Sequence, residues 1–286
     1  LAAGLLFVIP GALVILALSM LYAAAARLDW FAALFLGIKA AVLALVVQAL
    51  LRIAGRALDT RFKQGLAVAA FAALALLALP FPLVVLGAGA LGFIVAALRP
   101  DWLALKPIVA GAPLPPRPWA ASLRAVLVWG AVWVAPLVLV LVTLGRDHVL
   151  WQVATFFSQL AVVTFGGAYA VLAYMAQEAV GTLGWLGTGE MADGLGLAET
   201  TPGPLILVTQ FVGFLAASRD AAPFSPLVAG LLGAGLTTWV TFAPCFLWIF
   251  ACAPWMERME RLPALQAALA AVTAAVVGVI GQLALW

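Results

Sequence analysis

Long runs without any charged residue dominate this chain and restrict it to one class of fold. Leu1 to Ala26 carries no charged side chain, and Gly65 to Leu98 continues without one for longer than a single span requires. About 20 apolar helical residues cross the hydrocarbon core of a bilayer, which is about 30 Å thick. Only 9% of the residues are charged, whereas a soluble domain has about 25%. The chain is predicted to be an all-α, polytopic protein of the lipid bilayer.

The segments between these runs predict orientation and domain boundaries. Arg52 to Lys63 and Arg99 to Arg124 are rich in Lys and Arg, so the positive-inside rule places both in the cytoplasm. The second is also rich in proline and is predicted to be a stiff linker. We therefore expect residues 1-98 to be the remainder of a first transmembrane half, residues 99-121 a linker, and residues 122-286 a second transmembrane half.

Two of the apolar runs carry more specific predictions. Gly65 to Leu98 has Pro80 and Pro82 at its centre, which favours a hairpin of two short helices because proline interrupts a helix. Thr200 to Ser218 is uncharged and is predicted to cross the membrane outward, ending at the charged pair Arg219 and Asp220.

The beginning and the end of the chain resemble one another. The run from Leu1 to Leu6 reads like Leu227 to Leu232, and the helix containing Gln48 reads like the one containing Gln282. The predicted topology gives the paired segments opposite orientations. Two such copies form the inverted-topology repeat of many secondary transporters, whose substrate site lies near the bilayer midplane on broken helices.

Lys39 lies near the middle of a predicted span. A charge at that depth is costly and usually faces a cavity or a partner, so Lys39 is a candidate substrate-binding residue. The alternative is that the helix is shifted and the lysine side chain reaches an interface.

The segment from Phe165 to Pro204 is unusually polar for this chain. Gly166 and Gly167 begin an apolar helix, where missing side chains let a ligand or another backbone approach closely. Further on, a predicted helix start combines threonine caps with a proline turn, and it consists of Thr200, Thr201, Pro202, Gly203 and Pro204. Unpaired N–H groups at a helix start bind anions without a basic side chain. The alternative is that Pro-Gly-Pro only breaks a helix at the membrane surface.

The same segment holds four acidic residues. Glu199 directly precedes the predicted cap, where it complements the helix end or carries a coupling proton. Glu178 is the second candidate for a coupling proton. For Glu190 and Asp193 we favour the solvated face of a cytoplasmic loop.

Other function classes lack the residues they need. A membrane enzyme requires a nucleophile with a base, or a metal cluster, and the chain has one histidine and two cysteines. His148 is expected to be a solvated loop residue, and Cys245 and Cys252 are expected to pack on one helix face. We predict no enzyme activity, no metal and no cofactor. No basic patch indicates nucleic acid.

The polar segment resembles a known family, the chromate ion transporters. The resemblance is carried by Phe165-Gly166-Gly167, Gln177-Glu178, Trp185-Leu186, Glu190-Met191, Asp193-Gly194-Leu195, and the run from Leu197 to Pro204, followed by Gln210-Phe211-Val212-Gly213-Phe214. It is specific from Phe165 to Phe214 and looser over the rest of the chain.

This resemblance implies a multi-pass protein of the bacterial inner membrane with two homologous halves of opposite topology. It implies export of chromate, coupled to protons or to a counter-anion such as sulfate. The first half should have its own Gly-Gly and Pro-Gly-Pro motifs ahead of the region matching Leu1, so the chain is expected to be an internal fragment. The open alternatives are a permease for sulfate or another anion and a structural membrane subunit. A homodimer is also left open.

Overall fold

The computed structural model describes residues 1–25, 28–77, 79–103, 119–163 and 168–285. Within these ranges the chain is helical and has no strand, which confirms the predicted all-α fold. The α-helices are α1 (Ala2–Ala25), α2 (Asp29–Ala57), α3 (Arg61–Ala75), α4 (Phe81–Leu98), α5 (Trp119–Leu144), α6 (Val149–Val163), α7 (Ala168–Ala176), α8 (Thr188–Thr200), α9 (Val208–Arg219), α10 (Pro226–Cys252), α11 (Met256–Glu260) and α12 (Pro263–Leu285). A π-helical segment covers Gln177–Thr182, and 3₁₀ turns cover Pro100–Leu103, Leu205–Leu207 and Ala253–Trp255.

Among the described residues, five helical segments are long and apolar enough to cross a bilayer. They are Ala2–Ala25, Phe81–Leu98, Trp119–Leu144, Pro226–Trp255 and Pro263–Gln282. Their length and composition match the thickness of the hydrocarbon core. The prediction of a multi-pass membrane protein is confirmed.

The proline-centred run folds as predicted. Helix α3 ends at Ala75, and α4 begins at Phe81, directly after Pro80. Pro80 is the N-cap and Pro82 lies in the first turn of α4, where a proline costs no intrahelical hydrogen bond. The run from Gly65 to Leu98 is therefore two short helices.

The chain divides into two compact units that alternate along the sequence. The first unit combines Leu1–Val42, Leu123–Val162 and Met175–Ala251. The second combines Leu43–Ser122, Val163–Tyr174 and Cys252–Trp286. Each unit thus draws residues from both predicted halves.

In the second unit, α12 packs against α3 and α4. A Cβ on Gly92 would lie 2.6 Å from the carbonyl oxygen of Ala267 and 2.6 Å from the Cβ of Ala271. A Cβ on Gly278 of α12 would overlap the backbone of Ala67 in α3. Small residues let these helix backbones approach closely, as is usual between membrane helices.

In the first unit, the short helix α9 lies at the centre, and its residues from Val208 to Ala217 are all buried. It packs on α10 through glycines on both helices, because Gly213 touches Thr237 and the backbone of Gly233. Two indole hydrogen bonds hold α5 in the same unit, from Trp133 to Ser158 of α6 and from Trp239 of α10 to Val132. The candidate functional site lies where α9 contacts α1 and α8.

Candidate functional site

Helices α8 and α9 form an antiparallel hairpin. Near the start of α8, Glu190 accepts a hydrogen bond from Arg219 at the end of α9, with 2.5 Å between Oε1 and Nη2. In the middle of the two arms, a Cβ on Gly194 would lie 2.5 Å from the ring of Phe211. We call the end with Glu190 and Arg219 the base, and residues 200–204 the tip.

Neither arm of the hairpin is long enough to cross a membrane. Helix α8 has 13 residues and α9 has 12, so they extend about 20 Å and 18 Å at 1.5 Å per residue. The hydrocarbon core is about 30 Å thick, and both arms leave the tip toward the same base. The helix within the run from Thr200 to Ser218 is therefore shorter than the span predicted there. The uncharged run is long enough, but its Pro-Gly-Pro part is not helical.

Helix α1 lies alongside the hairpin. The phenol of Tyr22 contacts the base, and Gly11 contacts the tip. Gly11 lies about 21 Å along α1 from the end of that helix at Ala25. The tip therefore contacts α1 well away from that end.

The backbones of α1 and the tip are in direct contact. A Cβ on Gly11 would lie 2.8 Å from the carbonyl oxygen of Pro202 and 3.5 Å from the Cα of Gly203. Gly203 has a φ angle of 141°, which side chains rarely adopt. One turn into α9, the Gln210 amide donates to the carbonyl of Ala12 at 3.0 Å. Two glycines and one amide thus hold the tip against α1.

The threonines of the tip do not cap the following helix. Thr200 donates to the carbonyls of Gly196 and Leu197, and Thr201 donates to that of Leu197 at 2.6 Å. Both hydroxyls therefore end α8, and the predicted threonine cap is wrong. Pro204 is the N-cap of the 3₁₀ turn Leu205–Leu207 that leads into α9. Since the first turn of a helix has N–H groups without intrahelical acceptors, these groups are directed at the tip.

A buried hydrogen bond joins α1 to the base of the hairpin. The Tyr22 hydroxyl donates to Oδ2 of Asp193 at 2.7 Å, and the two residues are only 5% and 6% exposed. The edge of the Tyr22 ring packs against Phe35 and Phe211. The preference for a solvated Asp193 is wrong, because α1 and α9 cover this side chain.

Glu190 is only partly exposed and lies at the centre of the base. Besides Arg219 it accepts the N–H of Gly187 at 2.8 Å, while Arg219 also donates to the carbonyl of Trp185 at 2.6 Å. Desolvation raises the pKa of Glu190, but the hydrogen bonds from Arg219 and Gly187 and the charge of Arg219 together hold it below its usual value. The carboxylate is therefore the stable form.

A prediction for pH dependence follows from this ion pair. Because the pKa of Glu190 is lower in the folded protein, the pair stabilises the fold above the usual range of a glutamate and is lost as the pH falls through the lowered value. The pair is partly exposed, so we expect Glu190→Gln to cost about 0.5–1 kcal/mol at pH 7. Thermal unfolding from pH 7 down to about pH 2 should show the two proteins converging in acid. An equal difference at every pH would contradict the assignment.

A cavity of about 700 Å³ opens at the base, and we call it the vestibule. Its polar lining is formed by Tyr22, Glu190, Arg219 and Ser218, and its remaining walls come from α1, α9 and the start of α10. The vestibule thus reaches Tyr22, whose hydroxyl donates to Asp193.

The other predicted site residues lie in different places. Gly166 and Gly167 lie outside the described residues, and Lys39 lies in α2 with its side chain outside them. Glu178 is half-buried in the π-helical segment, and Glu199 is half-buried one residue before the end of α8. In the part of the chain that the structure describes, no group of three or more His, Cys, Asp or Glu residues could hold a metal ion.

Sequence reasoning missed Gly11, Tyr22, Arg219 and Gln210 as site residues. Arg219 was used only to mark the end of an uncharged run. A usable signal for Arg219 was the short distance from Pro204, since 15 residues of helix extend only about 22 Å. His148 lies in the loop before α6, where it is partly exposed and its Nε2 lies 2.8 Å from the carbonyl oxygen of Ala222.

These features define an all-helical, multi-pass membrane protein that contains a short antiparallel helical hairpin. The family model for chromate transporters matches residues 1–93 and 151–286. The chain belongs to the chromate transporter family, as the sequence resemblance indicated, and the relatives reported below are named as transport proteins.

Relatives of known name cover most of the chain. It is 33% identical over 247 residues to a chromate transport protein of Pseudomonas aeruginosa, covering 85% of this chain and 53% of that protein. It is 27% identical over 256 residues to a probable chromate transport protein of Synechococcus elongatus, covering 89% of this chain and 57% of that protein. The chain thus spans little more than half the length of these relatives. No solved structure shows significant similarity to it.

Proposed function

We propose that the chain forms part of the anion pathway of a secondary transporter that exports chromate across the bacterial inner membrane. The observation that carries this proposal is the position of the hairpin tip. In it, a helix start, two backbone-exposing glycines and a proline turn lie against α1, about 21 Å along that helix from its end at Ala25. Substrate sites of secondary transporters are built on such discontinuous helices near the midplane.

The tip is suited to an anion for electrostatic reasons. The 3₁₀ turn and α9 have their N-terminal end at Pro204, which carries a partial positive charge and unpaired N–H groups. Gly203 is exposed and lacks a side chain, so an oxyanion can approach the backbone directly. Thr200 and Thr201 would bind the anion only after their hydroxyls release the carbonyls of α8.

The remaining assignments of the site complete this proposal. Gly166 and Gly167 would allow close approach of the anion from a second element, and Lys39 would supply positive charge from the first half. The two halves, residues 1-98 and 122-286 with a linker at 99-121, would be inverted copies of each other. Glu199 and Glu178 are the candidates for coupling, since both are half-buried acids on the helices that lead to the site.

The test is uptake of chromate by everted inner-membrane vesicles that contain the full-length protein. Uptake into everted vesicles corresponds to export from the cell, so we expect it to exceed uptake into right-side-out vesicles. A protonophore should reduce a proton-coupled flux, whereas a sulfate gradient should drive an exchange. Lys39→Ala should lower uptake at least tenfold if the lysine contacts the anion.

Competition separates chromate from related substrates. Excess sulfate or molybdate that abolishes chromate uptake would indicate a general pathway for tetrahedral dianions. Vesicles with normal levels of the protein and no uptake of any of these anions would rule out transport as its function. The remaining hypothesis would then be that the protein is a structural membrane subunit.

A further inference from the structure

The vestibule contains a cation that the proposed site at the tip does not use. Of the described residues that line this cavity, Arg219 is the one with a positive charge. Its side chain is 45% exposed, so it is accessible within the open cavity. The volume of about 700 Å³ is many times the roughly 30 Å³ that one water molecule occupies in the liquid. The vestibule can therefore hold an oxyanion together with part of its hydration shell.

The guanidinium of Arg219 is already oriented for a further partner. Its Nη1 donates to the carbonyl oxygen of Trp185 at 2.6 Å, and its Nη2 donates to Oε1 of Glu190 at 2.5 Å. A guanidinium has five N–H donors in a fixed fork, and these two hydrogen bonds are the ones that Arg219 makes among the described residues. The bond to the Trp185 backbone does not depend on Glu190. It would hold the fork in place if the carboxylate moved away.

Glu190 can release Arg219 without losing every hydrogen-bond partner. Its Oε2 accepts the N–H of Gly187 at 2.8 Å, so only Oε1 needs a new donor. Water can supply that donor, since the Glu190 side chain is 31% exposed. The carboxylate is therefore a partner of Arg219 that can be exchanged.

A doubly charged oxyanion competes well with this carboxylate. Partly exposed ion pairs contribute little to stability, whereas a dianion carries twice the charge of Glu190 and is attracted more strongly by the guanidinium. The arginine fork also binds phosphate-like oxyanions through two parallel hydrogen bonds. A singly charged anion gains no more from Arg219 than the carboxylate already does. The exchange thus favours dianions.

We propose that the vestibule is a second anion site, in which an entering tetrahedral dianion displaces Glu190 from Arg219. This inference rests on the proposed function, because the anion that is captured in the vestibule is the one that the tip transports. Arg219 is 15 residues from Pro204, or about 22 Å of helix, so the two sites are separate. Glu190 acts as the competitor that excludes singly charged anions.

Binding to a protein whose tip is blocked isolates the vestibule. The protein is full-length Gly203→Leu, purified into lipid nanodiscs, and the probe is radiolabelled chromate in an alkaline buffer that keeps it a dianion. Equilibrium dialysis should show saturable binding that sulfate displaces and nitrate does not. Addition of Arg219→Gln to this protein should weaken the binding by roughly fivefold or more.

The direction of the change in KM distinguishes an anion site from a structural ion pair. Arg219→Gln and Glu190→Gln break the same pair, so a purely structural pair shifts the KM for chromate uptake in the same direction in both variants. We expect opposite shifts in vesicles of the orientation that presents the vestibule to the added chromate. Arg219→Gln should raise KM roughly fivefold or more, and Glu190→Gln should lower it roughly two- to fivefold, because the competitor is gone. The change in kcat should be smaller than the change in KM.

Asp59→Asn is the matched control. It breaks a different ion pair, in which Asp59 lies 2.7 Å from Lys63, in the second unit and away from the vestibule. It should leave the KM for chromate unchanged in vesicles of both orientations.

The outcomes separate this inference from the function on which it rests. Shifts of KM in the same direction in both variants and both vesicle orientations overturn the vestibule site while transport stands. So does loss of all binding in Gly203→Leu when the wild type binds chromate. Binding that depends on Arg219, in a wild-type protein that transports nothing, overturns the proposed function alone. If Gly203→Leu or Arg219→Gln does not fold, Glu190→Gln decides, and an unchanged or higher KM contradicts the proposal.

Discussion

Replacing Gly203 by leucine is expected to reduce chromate transport at least 100-fold. The φ angle of 141° at this residue disfavours any side chain, and a Cβ would lie 3.4 Å from the Cα of Gly11 and 3.4 Å from Leu207. A leucine would therefore occupy the space in which the anion meets the helix start. Initial rates of chromate uptake into everted vesicles, normalised to the amount of protein, give the measurement.

The control for Gly203→Leu must separate strain from blockage. Gly145 also has a positive φ angle, 82°, but a Cβ there would meet no described atom within 4 Å. Gly145→Leu should therefore keep most of the transport activity, although it also strains the backbone. Gly11→Leu approaches the tip from α1 without a positive φ angle, and it should abolish transport as well. Normal transport by both Gly203→Leu and Gly11→Leu would remove the anion site from the tip.

The second large effect concerns the crossing of α9 and α10. A Cβ on Gly213 would overlap the side chain of Thr237 and lie 3.1 Å from the carbonyl oxygen of Gly233. Gly213→Val must therefore push the two helices apart, and overpacking of this kind costs about 1–3 kcal/mol or more. We expect a clearly lower midpoint of thermal unfolding. Transport should also be lost, because α9 carries the tip.

Gly235→Val is the matched control for the helix crossing. This residue lies on α10, and a Cβ there would meet no described atom within 4 Å. The two substitutions have the same helix propensity cost, so the difference between their unfolding midpoints measures the steric conflict. Equal midpoints would show that α9 and α10 do not cross at Gly213.

The parts of the fold that depend on local composition could be predicted from the sequence. The spans follow from the length of the uncharged runs, and the break between α3 and α4 follows from Pro80 and Pro82, because proline acts on its own helix. The hairpin was not predicted, because the length of an uncharged run does not equal the length of a helix. The residues from Thr201 to Pro204 are uncharged and also non-helical, so α9 is much shorter than the run that contains it.

Only those parts of the candidate site that depend on neighbouring residues in the sequence could be predicted. The turn at the tip could be recognised, since its Pro-Gly-Pro sequence has a direct effect on the backbone. Its contacts with α1 could not, because Tyr22 and Asp193 are 171 residues apart and no periodic pattern relates them. The burial of Asp193 is a tertiary effect. A carboxylate on a predicted loop gives no sign of the helix that will cover it.

The short arms of the hairpin also make its fold depend on neighbouring helices. Neither arm has the length of a span, and backbone that is not helical is tolerated within a membrane only when surrounding protein covers it. Helices α1 and α10 supply part of that cover, since Gly11 of α1 meets the tip and Gly233 of α10 meets Gly213 of α9. The element that carries the proposed site is thus one that cannot keep its shape without the helices packed around it.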